Sequence, residues 1–171
     1  LASAKSTTVT DNATVAQATT ISALSAIDDI TYSLTDTAAN LSGAVAGAGA
    51  GTSLLDTAVN ITVTDTVTFA QAGAIQGETN SGTTTYSIND VDTSIAVVAA
   101  DNNGATDITV TGTTGITAAQ ATSLVNATNS GNTSIALVTG VPADLATLAG
   151  VLGANDTITA ATPSAALSVA Q

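Results

Sequence analysis

The feature that most constrains this chain is a tandem duplication. The run VTDNATVAQATTI from Val9 to Ile21 aligns without gaps onto VTDTVTFAQAGAI from Val63 to Ile75, and YSLTDTAANL from Tyr32 to Leu41 aligns onto YSINDVDTSI from Tyr86 to Ile95. Both pairs share one offset of about 54 residues, so the duplicated unit has two parts in a fixed order. A third, more diverged copy follows. ITVTGTTGITAAQATSL from Ile108 to Leu124 matches the first part with a two-residue insertion, and SIALVTGVPADL from Ser134 to Leu145 matches the second. A fourth begins at Ile158 and reaches Val169-Ala170-Gln171, which repeats Val15-Ala16-Gln17 and Phe69-Ala70-Gln71. A small repeated unit cannot bury its apolar face alone; it does so against its neighbours. The expected organisation is a single array over residues 1–171, with copies near 1–54, 55–107 and 108–157 and a partial copy over 158–171. The broken last copy reads as part of a longer polypeptide.

Each half-unit has the same grammar: a β-branched alternating stretch, a Thr or Asp, an Ala-rich stretch with helical spacing, then a Gly/Asn/Ser turn. The alternation predicts strands over Thr7–Thr10, Ile30–Thr35, Ile61–Thr66, Thr84–Asn89, Ile108–Thr111, Ser134–Thr139 and Ile158–Ala160. Thr14, Thr68 and Thr117 precede Ala/Gln-rich turns as N-caps do, and Pro142 follows Val141 where the first helical residue tolerates proline. Val15, Ala18 and Ile21, or Leu145, Leu148 and Leu152, fall on one helical face. The fold class expected is an α/β repeat solenoid of about seven strand-plus-short-helix coils stacked as a parallel sheet, about 33 Å long at 4.8 Å per strand. The alternative is an all-β parallel β-helix, with the Ala-rich stretches as corners and strands.

Composition narrows the chemistry. One Lys and no Arg stand against thirteen Asp plus Glu, for a net charge of −12, and the chain has no His, Cys, Met or Trp. Phosphate neutralisation needs many cations, so nucleic acid is not an expected partner. Zinc, haem and iron–sulfur sites lack ligands, and acid–base or covalent catalysis lacks its usual groups. The expectation is no enzyme activity. Mean hydropathy is +0.42 and 44% of residues are apolar, which argues for a folded chain rather than a disordered one. No apolar run is long enough to span a bilayer, and no export signal opens the chain. The absence of cysteine fits an exported bacterial protein.

Twelve aspartates and one Glu suit turns better than helix surfaces. The best cation candidate is the loop Asp101-Asn102-Asn103-Gly104-Ala105-Thr106-Asp107, with Asp101, Asn103 and Asp107 as calcium ligands and Asp90 and Asp92 near in sequence. A plain Asx-rich turn is the simpler reading of the same residues. Asp28 and Asp29, and Asn155 with Asp156, are further acidic turns. Asp11, Asp36, Asp65 and Asp90 recur at unit corners, where helix N-capping is their expected task. Six N-x-[ST] sequons occur, at Asn12, Asn40, Asn60, Asn126, Asn132 and Asn155, and the Gly/Ala run from Gly43 to Gly51 reads as a linker.

The YSLTDTAANL and VTDTVTFAQAGAI segments resemble the degenerate tandem repeats of very large Thr/Ala/Asp-rich bacterial surface proteins, notably of cyanobacteria and proteobacteria. That resemblance implies type I secretion, an extracellular or cell-surface location, and a role as adhesin, surface-layer component or filament. The GGxGxD calcium nonapeptide of such proteins is absent here. The function expected is a structural spacer, surface-layer or filament element that stacks end to end, with other copies of itself or adjacent repeats as partners. The alternative is an adhesin module binding cell-surface glycans through Tyr32 or Tyr86, or a regular Thr face binding ice.

Overall fold

The computed structural model describes residues 6–24, 29–47, 53–95 and 102–161. In chain order these form β1 (Thr7–Thr8), α1 (Val15–Ser22), β2 (Ile30–Asp36), α2 (Ala38–Ala46), β3 (Ala58–Val67), α3 (Phe69–Gln76), β4 (Thr84–Val91), a 3-10 turn (Asp92–Ser94), β5 (Ala105–Thr111), β6 (Ile116–Thr117), α4 (Ala118–Val125), β7 (Thr133–Thr139), α5 (Pro142–Ala149) and β8 (Thr157–Ala161). The protein is α/β, and all strand pairs are parallel. The Ala-rich stretches are helices, which removes the all-β alternative.

Strand order follows chain order except at the short β6, which pairs with β7 and not with β5. β1 to β5 lie side by side in sequence, β5 and then β6 pair with β7, and β8 pairs with β7 in turn. Ile135 of β7 is level with both Val110 and Ile158, so β5 and β8 occupy opposite edges of β7. Open α/β sheets place ligands where strand order reverses. Among the described residues no such reversal of the sheet occurs.

The inward side of each strand carries the core. Leu34, Ile61, Val67, Ile88, Ile108, Val110, Ile135 and Val138 are buried, and each is level with a neighbour one strand away. Large residues meet small ones: Tyr32 is level with Ala58, and Tyr86 with Ala105. Each tyrosine hydroxyl reaches the loop that leads into the next strand, Tyr32 donating to the Leu54 carbonyl at 2.9 Å and Tyr86 to the Asn103 carbonyl at 3.1 Å. Strands β3 and β5 begin earlier than alternation predicts because Ala58 and Ala105 carry no strand signal of their own. The neighbouring tyrosine selects them.

Four of the five helices named above have only eight residues, too few to persist alone in water. A narrow stripe holds each to the sheet, such as Phe69, Ala72 and Ile75 in α3 or Ala118, Ala121 and Leu124 in α4. Their starts are fixed by side chains. Thr14, Thr68 and Thr117 each form a capping box with the glutamine three residues on, as their sequence spacing indicates. Thr37 caps α2 by accepting from the Asn40 amide, and Pro142 opens α5.

One core position departs from the pattern. Asn102 stands three residues before Ala105, as Leu55 stands three before Ala58, and both are buried, at 1% and 0% exposure. Among the described residues, neither polar atom of the Asn102 side chain has a hydrogen-bond partner. Burying an unpaired amide costs about 1–3 kcal/mol. Asn102→Leu is expected to raise unfolding stability by that order in a urea titration; lower stability in the variant would contradict the account.

Candidate functional site

The acidic residues define the chemistry of this molecule, and most of them are joined to backbone amides of a neighbouring strand–helix unit. Asp36, at the end of β2, accepts from the Val15 amide, the first of α1, at 2.9 Å. Asp65 of β3 accepts from the Ala38 amide, the first of α2, at 2.6 Å. Asp90 of β4 accepts from the Phe69 amide, the first of α3, at 2.9 Å. Asp36, Asp65 and Asp90 therefore fill the expected capping role, each at the helix of the unit before it; Asp36 also accepts from the Thr37 amide and the Asn40 side chain of its own unit, and Asp11 meets no helix start among the described residues. Register explains the choice: Leu34 is level with Ala13, Asp36 with Val63 and Ile88 with Val67, and two residues further along brings each carboxylate level with a helix start.

At the next first-part unit the ladder is interrupted. Gly140 falls level with Ala118, because Thr117 is level with Thr139, and a Cβ on Gly140 would lie 3.3 Å from the Ala118 Cβ. The 3-10 turn after β4 reverses the direction of the bond: Asp92 accepts from the Gly115 amide of the following unit at 2.7 Å. A Cβ on Gly112 would lie 2.4 Å from the Asp92 carboxylate, and Gly112 has φ of +123°, so glycine is required there on both counts.

The candidate calcium loop belongs to a second set of such bonds. Asp101 lies outside the described residues. Asn103 Oδ1 accepts from the Thr128 amide at 2.8 Å, and Asp107 Oδ1 accepts from the Asn132 amide at 2.9 Å. The same arrangement occurs one copy earlier, where Asp56 accepts from the Thr79 amide at 2.7 Å and Asn60 from the Thr83 amide at 2.9 Å. The donors are the first residue of a Thr-Asn-Ser-Gly step and the residue that follows it, at Thr79–Gly82 with Thr83 and again at Thr128–Gly131 with Asn132. A Cβ on Gly131 would lie 2.2 Å from Asp107 Oδ1, and one on Gly82 2.3 Å from Asn60 Oδ1. This recurrence is legible in the sequence, but it falls in the turns, outside the aligned strand blocks. Asp156 likewise accepts from Thr133 at 2.9 Å and Gly153 at 2.8 Å, and Glu78 accepts from the Ser53 hydroxyl. Asp28 lies outside the described residues, and the Asp29 main-chain carbonyl accepts from the Thr7 amide. Among the described residues, no three Asp or Glu side chains converge as a metal would require.

All three aromatic side chains, Tyr32, Phe69 and Tyr86, are at most 5% exposed, so none can serve as a sugar platform. Two open clefts are present. One of about 400 Å³ is lined by residues of the β1–α1 end including Val9, Asp11 and Ile21, and one of about 350 Å³ lies between α4 and α5. In the second, the Thr122 and Thr147 hydroxyls donate to the Ala118 and Ala143 carbonyls of their own helices. No described helix is long and apolar enough to cross a membrane. A scan against protein-family models, a search of curated proteins and a search of solved structures each found no match.

The hydrogen bonds leave a mark on acidity. Partial burial pushes the Asp36 carboxyl up, but hydrogen bonds from the Asn40 side chain and from the Val15 and Thr37 amides outweigh it and hold the group below its ordinary 3.8. The Thr79 amide and hydroxyl hold Asp56 below 3.8 as well. A carboxylate lowered in the folded state contributes stability that is complete above its ordinary value and is lost as pH falls through its folded value. Asp36→Asn turns one of two acceptor oxygens into a donor. It is expected to cost about 1 kcal/mol at pH 7, after allowance for solvent screening. Urea unfolding from pH 7 to pH 2 checks this: the variant and parent curves should converge below 3.8, the ordinary value. A gap that persists unchanged in acid would contradict it.

Proposed function

We propose that this chain is a non-enzymatic structural segment, an α/β solenoid of about seven stacked strand-plus-helix coils, within an extracellular bacterial surface protein. Its task is to act as a stiff spacer, surface-layer or filament element, extended end to end by adjacent repeats. The observation that carries this reading is the parallel pairing of strands along the chain, β1 to β5 and then β7 and β8, with the short β6 beside β7, reinforced by aspartates that bond the preceding unit. A parallel sheet that grows in one direction resists extension through many main-chain hydrogen bonds acting together. The resemblance of the repeats to very large surface proteins supplies the extracellular setting.

Small-angle scattering on chains lengthened by whole repeats tests the proposal. Each added copy of residues 55–107 contributes two strands, so the maximum dimension should grow by about 10 Å per copy. Growth as the cube root of mass, as in a compact globule, would contradict it.

A second reading has one observation in its favour. The side of the sheet opposite the core carries hydroxyl rows: Thr62 and Thr85 are level on two strands, and Thr109, Ser134 and Thr157 on three more, while the Thr35 hydroxyl beside Thr62 is buried. Rows spaced by about 4.8 Å are suited to a regular ligand lattice such as ice. Thermal hysteresis abolished by Thr62→Lys would support that reading, and its absence in the parent protein would dismiss it.

A further inference from the structure

The contact between units has a direction, and at the β1–α1 end one side of it is unfilled. At the internal junction formed by β2 and α2 against β3 and α3, the Ala38 amide meets Asp65, while Val63, Val67 and Ile75 are only 9%, 0% and 0% exposed. One copy earlier the same positions are Asp11, Val9, Ala13 and Ile21. There Val9 and Ile21 are only half-buried, and Asp11 is exposed with no hydrogen-bond donor among the described residues. These side chains line the open cleft of about 400 Å³, and β1 ends the sheet. Among the described residues the face therefore has the residues of an internal junction without the unit that covers one.

We infer that this face docks one further strand–helix unit of the kind built by Ile30–Ala46, with the first helical amide of that unit donating to Asp11. The inference rests on the solenoid reading above and specifies the partner that reading requires. Spacing selects the kind of unit. Asp11 lies four residues before Val15, the first residue of α1, as Asp65 lies four before Phe69. That spacing sets the carboxylate level with the start of a second-part helix, as Asp65 is with Ala38. A first-part helix is instead met by an aspartate two residues before the helix or turn of its own unit, as Val15 is met by Asp36 and Phe69 by Asp90. A second copy of this chain approaching by its β8 side would offer a first-part unit, since the sequence from Ile158 repeats the first part. Such a copy leaves Asp11 unmatched.

The test lengthens the full chain at its start. One variant carries an extra copy of residues 29–57, the second-part unit with its following linker, before Leu1; a control carries an extra copy of residues 6–28, a first-part unit. The second-part extension is expected to raise the melting temperature by about 2–4 °C. Asp11→Ala should remove most of that gain while leaving the unextended chain unchanged, where Asp11 has no partner to lose. A gain that is equal for both extensions, insensitive to Asp11→Ala, or absent would overturn the inference. The scattering increment per repeat is measured independently, so this failure would leave the solenoid reading standing and a failure there would be separately visible.

Discussion

A carboxylate held against the first amide of a neighbouring helix is the interaction on which the rest of this structure depends. A helix start exposes amides that have no partner within the helix, and these short helices have no length over which to dilute that cost. The Thr–Gln capping boxes serve the N-cap and third helical amides; the first amide is served from outside, by Asp36, Asp65 and Asp90. The negative charge also sits at the positive end of the helix dipole. One bond thus stabilises a helix and ties two units together. Adjacent units become interdependent through polar contacts as well as through the apolar core.

This arrangement gives the composition a physical sense. With a single Lys in the chain, ion pairing cannot balance thirteen acidic residues, so backbone amides take that role. Aspartate has the short reach that a strand 4.7–4.9 Å away demands, whereas glutamate would have to fold back. Alanine and threonine fit for related reasons. Alanine lets the thin helices approach the sheet and lies beside each tyrosine, while threonine caps helices and lines the outward sheet face.

Much of the fold was legible in the sequence because the period repeats. The four strands with the ITVT, YSL or YSI pattern, the three capping-box helices and Pro142 at a helix start all follow from local pattern and chemistry. Features decided by a neighbouring unit were harder to read. Ala58 and Ala105 are strand residues because a tyrosine stands beside each, and Gly82 and Gly131 are fixed by an Asx oxygen more than twenty residues away. Capping by Asp36, Asp65 and Asp90 is legible from their corner positions, but which helix each one caps depends on strand register, which sequence spacing alone does not determine. Asn103 and Asp107, legible as an oxygen-rich turn, turn out to hold the next loop in place.

Amide hydrogen exchange measured residue by residue tests the central claim most directly. Asp36→Ala, Asp65→Ala and Asp90→Ala should each accelerate exchange at one remote amide, Val15, Ala38 and Phe69 respectively, while the other two helix starts keep their protection. Exchange that changes only within the substituted residue's own unit, or at none of these amides, would contradict the account.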